Sequence, residues 1–134
     1  MHDATTPCIR VVSALIERDG RFLVTQRRPK ATLPLLWEFP GGKVEPGETD
    51  ALALTRELME RLALEVRVGQ IEVEVDHQYE GYCLHLRTYR CHITGEDPRP
   101  VHVAAVRWCT PAELAELPFP GADQASVDAL LEDF

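Results

Sequence analysis

The chain has 134 residues, 45% of them hydrophobic and 27% charged, with a formal net charge of −8. That length suits one domain with a real core, and no apolar run approaches the roughly 20 residues needed to span a bilayer. The acidic balance excludes broad electrostatic binding to a nucleic-acid polymer, which needs a basic face, but not a single nucleotide, because a metal ion can bridge acidic side chains to a polyphosphate.

The first ten residues, "MHDATTPCIR", lack a basic start followed by an apolar stretch. They do not read as a secretion signal, and a cytoplasmic setting is the default expectation. Cys8, Cys83, Cys91 and Cys109 include no CxxC pair and no zinc-type spacing, so all four read as reduced thiols.

Residues 9–18, "IRVVSALIER", are apolar and rich in β-branched side chains. Asp19-Gly20 is a strong hairpin signal, and 21–27, "RFLVTQR", make the return strand. Residues 28–42 carry three prolines and read as a loop, with a short extended piece at Trp37–Phe39. A helix follows from Thr49, a plausible N-cap, with Asp50 in its first turn. Leu54, Leu58 and Leu62, joined by Ala51, form its expected core-facing stripe. Residues 66–79 and 82–93 read as strands around a turn near Glu80-Gly81, and 103–109 as another short strand. Thr110-Pro111-Ala112-Glu113 opens a second helix with a capping-box spacing and proline at the first position. A third helix is expected over 122–132. The order predicts an α/β (α+β) architecture, with helices packed on a largely antiparallel or mixed sheet.

The chemistry concentrates in Gly41–Leu64, "GGKVEPGETDALALTRELMERLAL". Gly41-Gly42 allows close approach of the backbone to a ligand. Glu45, Glu48, Glu57 and Glu60 bring four carboxylates within sixteen residues. Glu57 and Glu60 are three apart and share one helix face, with the leucine stripe on roughly the other side. Two carboxylates facing a glycine loop make a site for a hard cation, Mg²⁺ or Mn²⁺. The alternative for two glutamates alone is a solvated acidic face.

The segment resembles the Nudix box, G-x5-E-x7-R-E-U-x-E-E-x-G-U, with U a large aliphatic residue. Gly42, Glu48, Arg56, Glu57, Leu58, Glu60 and Leu64 match in register. "VVSALIERDGRFLVTQR", "LWEFPGGKVEPGE", "RWCTPAEL" and "LPFPGADQ" extend the likeness to the MutT-type branch, and especially to its CTP pyrophosphohydrolase-like members, over about residues 9–133. The resemblance implies a single Nudix domain, 1–134, with a mixed sheet sandwiched between helices. It also implies conversion of a nucleoside triphosphate, an oxidised or modified one included, to the monophosphate and pyrophosphate. Carried over by position, Glu57 is a metal ligand and general base, Glu60 a metal ligand, and the Gly42 carbonyl part of the metal shell. Arg56 and Glu48 pair to hold loop against helix, and Arg27 reaches a phosphate. Trp37, Glu38, Phe39, Pro40 and Gly41 line the base pocket, and Asp123 contacts the base. Arg27 has the alternative of a surface arginine, Trp37 and Phe39 of core residues, and Asp123 of a helix cap.

Two positions of the box depart from the pattern: Arg61 stands where a second glutamate belongs and Ala63 where glycine belongs. His102 falls where a MutT-type enzyme has a further glutamate ligand. Glu57 and Arg61 have the i, i+4 spacing of an ion pair, and a guanidinium there opposes a divalent cation. Arg61 could instead meet a phosphate directly. Two readings follow: a pyrophosphohydrolase with a reduced metal set, or a Nudix-fold module that binds a nucleotide or a protein partner without turnover.

Overall fold

A computed structural model describes residues 7–132. Its elements in chain order are β1 (Cys8–Leu15), β2 (Glu17–Arg18), β3 (Arg21–Gln26), β4 (Trp37–Glu38), β5 (Gly41–Lys43), α1 (Asp50–Leu62), β6 (Val66–Tyr79), β7 (Tyr82–Ile93), β8 (Ala105–Cys109), α2 (Pro111–Glu116) and α3 (Gln124–Glu132). The expected α/β order is therefore present, but the strands divide into two four-stranded sheets rather than one.

The first sheet has the order β5-β1-β7-β6. It is mixed: β1 runs parallel to β7 and antiparallel to β5, while β6 and β7 form a long antiparallel hairpin. In the second sheet β3 is the hub, pairing antiparallel with β2, β4 and β8. The chain crosses between the sheets at Ile16, which is buried. Asp19 (φ 52°) and Gly20 (φ 74°) make the tight β2–β3 turn in the left-handed conformation that the Asp-Gly pair predicts.

The period-2 alternation of β1 sends its side chains to opposite faces. Val12 and Ala14 join Leu54, Leu58, Leu62 and Leu64 in the main core under α1. Val11 packs on the other face with Val127 and Leu131 of α3 and with Leu84 and Leu86. The first sheet thus lies between α1 and α3, the sandwich that the sequence predicts.

Three expectations need correction. Ala51 is exposed, and Ala53 takes its place beside the leucines. Glu57 is buried with that stripe rather than opposite it; three residues from Leu54 on a 3.6-residue helix is a turn of only about 60°. Gly41–Lys43 is a strand, not loop, because glycine permits the close β1–β5 approach: a Cβ on Gly41 would fall 2.0 Å from the Val12 carbonyl oxygen.

The cysteines also depart from expectation. Cys91 and Cys109 are free and buried, and burial pushes the Cys91 thiol up to about 11. Cys8 and Cys83, however, form a disulfide. The parallel register sets them directly opposite each other with Cα atoms 4.5 Å apart, within disulfide reach. Their separation of 75 residues hides this from any local spacing rule.

Candidate active site

Thr49 caps α1 by accepting from the Leu52 N–H, as its position predicts. The helix then presents Arg56, Glu57, Glu60 and Arg61 towards the β5 end of the first sheet. Arg56 is the hub. Its Nε and Nη2 donate to the two carboxylate oxygens of Glu48 at 2.7 and 2.9 Å, and Nη2 also donates to the Lys43 carbonyl. Nη1 donates to Glu57 at 3.0 Å and to Glu60 at 3.4 Å. One guanidinium therefore joins the loop to both helix carboxylates, and two parallel N–H···O bonds fix its plane. Hydrogen bonds from Arg56 and from the Glu45 N–H hold the Glu48 carboxyl down at about 2.

Glu57 lies against the Gly42 backbone. A Cβ on Gly42 would sit 2.4 Å from the Glu57 carboxyl carbon, so any side chain there would push this carboxylate off the backbone. Its second oxygen accepts from Arg61 Nε at 2.7 Å, the ion pair that the i, i+4 spacing predicts. The C-terminal carbonyls of α1 are then satisfied by the following loop: Arg99 N–H donates to Leu62, and Val101 and His102 N–H groups donate to Arg61. This docking brings His102 beside Arg61. The two share a small cleft with Arg27, Arg28, Ala31, Glu38 and Val103.

The donor chemistry fits one hard cation. Glu57 and Glu60 offer carboxylate oxygens, the donors such a cation takes, around the same Arg56 Nη1, and the Glu57 carboxylate lies against the Gly42 backbone. Among the described residues no trio of carboxylates or imidazoles converges there, and Arg61 places a guanidinium on Glu57 instead.

Across the sheet a chamber of about 290 Å³ opens between the first sheet and the loops before α3. Glu38, Phe39, Gly41 and Gly42 form one wall, and Phe119, Ala122 and Leu131 another. The Phe39 and Phe119 rings lie 6.1 Å apart. Trp37 and Pro40 do not line it. Trp37, in β4, instead pairs with Gln26 of β3 and donates its backbone N–H to the Pro118 carbonyl, and buried Pro40 accepts from the Ala14 N–H. Asp123 does not line it either. Both its oxygens accept from Ser126, the capping alternative, and those bonds lower its carboxyl below the usual range. Phe119 and the β7 residues Leu84 and Leu86 escaped sequence reading. The "LPFPGADQ" segment was the signal for Phe119; nothing local marks Leu84 and Leu86.

Arg27 reaches the cleft but is buried and committed to its own loop. Nε donates to the carbonyls of Thr32 and Leu33, Nη2 to Thr32 at 2.7 Å, and Nη1 to Glu38 at 3.5 Å.

The sandwich, the glycine-glutamate contact and the Arg56 hub together set a carboxylate-rich loop-helix site on an α+β domain. A family model described as NUDIX domain matches residues 11–129, and the chain belongs to that family. It is 39% identical over 124 residues to the CTP pyrophosphohydrolase of Escherichia coli, covering 92% of this chain and 91% of that one. It is 43% identical over 117 residues to a putative 8-oxo-dGTP diphosphatase 2 of Mycobacterium tuberculosis, covering 85% and 82%. Among solved structures it superposes on the E. coli ORF135 protein with a TM-score of 0.80 at 34% identity, over 98% and 94% of the two chains. A MutT Nudix hydrolase from Burkholderia pseudomallei gives 0.72 at 28%, over 92% and 98%.

Proposed function

We propose that the protein hydrolyses a nucleoside triphosphate to its monophosphate and pyrophosphate, working as one Nudix domain over 1–134. The observation that carries this is continuity: Glu38 and Gly42 line the chamber, Gly42 abuts Glu57, and Glu38 also lines the cleft with Arg61 and His102. A base held against Phe39 and Phe119 would direct its phosphates toward Glu57. The relatives are named for a cytosine nucleotide and, as putative, for an oxidised guanine nucleotide, which supports a nucleotide substrate and leaves the base to the chamber walls.

Glu57, Glu60 and the Gly42 carbonyl would hold Mg²⁺ or Mn²⁺, which when bound neutralises phosphate charge and acidifies water. Glu57 accepts the proton of the attacking water. Arg56 and Glu48 keep Glu57 against Gly42, so their role is positioning. Arg61 supplies a cation to the cleft, beside His102. Glu38, Phe39 and Gly41 contact the base, whereas Trp37, Pro40 and Asp123 do not line the chamber.

The test is pyrophosphate release from a panel of ordinary and oxidised nucleoside triphosphates, with Mg²⁺ and with Mn²⁺. Turnover of at least one is expected. Tight nucleotide binding with no turnover of any would instead establish the second reading, a binding module, which the Arg61–Glu57 ion pair favours. The same pair predicts that Arg61→Glu raises Mn²⁺ affinity by about tenfold or more, since unit charges 4 Å apart interact by about 4 kcal/mol at an effective dielectric near 20. Calorimetric titration measures this directly, and an unchanged affinity would mean that Arg61 does not oppose the cation.

A further inference from the structure

We propose that Cys8, Cys83 and His85 form a second metal site in the reduced chain, selective for a borderline-soft divalent cation of the Zn²⁺ class, and that the Cys8–Cys83 disulfide is the same site in its closed state. The cluster shares no residue with the Glu57 site or the chamber.

Three observations point to it. The first is convergence. Cys8 lies opposite Cys83 across the parallel β1–β7 pair, and His85 is two residues further along β7, on the same face. The two Sγ atoms and a His85 ring nitrogen all lie within 4.8 Å of one another. Cys83 Sγ is 3.7 Å from His85 Nε2. Tetrahedral zinc with bonds of about 2.3 Å to sulfur and 2.0–2.1 Å to nitrogen sets such ligand atoms about 3.5–3.8 Å apart.

The second is orientation of the imidazole. Asp76 Oδ1 lies 2.6 Å from His85 Nδ1 and also accepts from Arg87 Nη1 at 2.8 Å. A carboxylate bound by a guanidinium is an acceptor, so Nδ1 carries the hydrogen and Nε2 is the ring nitrogen that faces the sulfurs. A carboxylate on the far nitrogen is the arrangement that fixes the tautomer and raises the basicity of metal-bound histidine.

The third is access. Cys8 is exposed, and a basin of about 150 Å³ lined by Arg10, Val11, Asp50, His85 and Arg87 adjoins the cluster. Asp50 is the first residue of α1, so the cluster occupies the part of the sheet that the helix does not cover. The basin leaves room for a water as fourth ligand, whereas Cys91 and Cys109 are sealed in the core.

Passage between the two states is balanced by thiol–disulfide exchange. Two molecules of a small monothiol reduce the S–S bond, leaving as their own disulfide, and two S–H groups form on the protein. Cation binding then displaces those two protons.

The test uses the full chain, reduced with excess monothiol, freed of it under nitrogen and titrated with Co²⁺ as a spectroscopic stand-in for Zn²⁺. The expected result is one equivalent bound, with thiolate-to-metal charge-transfer absorption that Zn²⁺ abolishes. The absorption is expected to be absent from the oxidised chain and from Cys8→Ser, whose exposed position should leave folding intact by circular dichroism. Asp76→Asn is expected to weaken binding about 10- to 100-fold. No charge-transfer absorption in the reduced wild type would overturn the proposal, as would its persistence in Cys8→Ser. Glu57→Gln serves as the control for the hard-cation site, and loss of the absorption in that variant would equally count against an independent thiolate site.

Discussion

Arg27 and Glu48 show how one residue's role separates once its partners are known. Arg27 resembles a phosphate-binding arginine in sequence, yet Nε and Nη2 are spent on the Thr32 and Leu33 carbonyls. Leu33 and Leu35 in this loop both have positive φ, 52° and 62°, a conformation that leucine adopts only when held there. Lysine cannot reproduce the planar fork. Arg27→Lys is therefore expected to cost about 1.5–3 kcal/mol of stability, read as a lower denaturation midpoint in urea. A large change in substrate affinity without that loss would restore the phosphate role. Glu48 is the opposite case, where sequence position and structure agree. Its carboxyl is held at about 2 against an ordinary 4.5, so its ion pair with Arg56 stabilises the fold fully above pH 4.5 and is lost as pH falls toward 2. The difference in melting temperature between wild type and Glu48→Gln should be constant near neutrality and shrink across that acid window.

At the scale of the element, α1 was the most legible part of the chain. Its cap, its leucines and its box residues all lie within one window of local rules. Its end was legible as an anomaly, and the structure gives the anomaly a cost. Ala63 caps the helix at φ 50°, ψ 38°, where glycine is the residue without a Cβ penalty. Ala63→Gly is expected to add about 1 kcal/mol of stability, less the extra unfolded-chain entropy of glycine; thermal denaturation of the two chains checks the sign. The hairpin at Asp19-Gly20 and the capping box at Thr110 were equally readable, since each is written in adjacent residues. β5 was not, because two glycines say only that the backbone approaches something closely. What it approaches is β1, some thirty residues earlier.

The molecule as a whole was legible in class but not in pairing. Strand and helix order announced an α+β sandwich, whereas the division into two sheets depends on which distant edges meet. The β1–β7 register is the clearest instance, and the thiol pair follows from it. The Cys8–Cys83 bond closes a loop of about 75 residues, for which chain entropy alone gives an upper figure of about 4–5 kcal/mol. Reducing the protein in the absence of metal should lower its melting temperature, and Cys8→Ser should melt at the reduced value whatever the redox conditions. The chamber likewise takes walls from β1, β7 and α3, and those walls could not be read in sequence.

The central place of β1 also bears on how the chain is made. Its partner strand ends at Ile93, so the first strand to be synthesised waits for the last one of its sheet. At about 5–20 residues per second, the intervening 75 residues take roughly 4–15 s. Through that interval Val11, Val12, Ala14 and Leu15 have no parallel neighbour. The nascent chain carries an open apolar strand for seconds, during which productive pairing competes with capture by holding chaperones and with association between neighbouring chains on the same message.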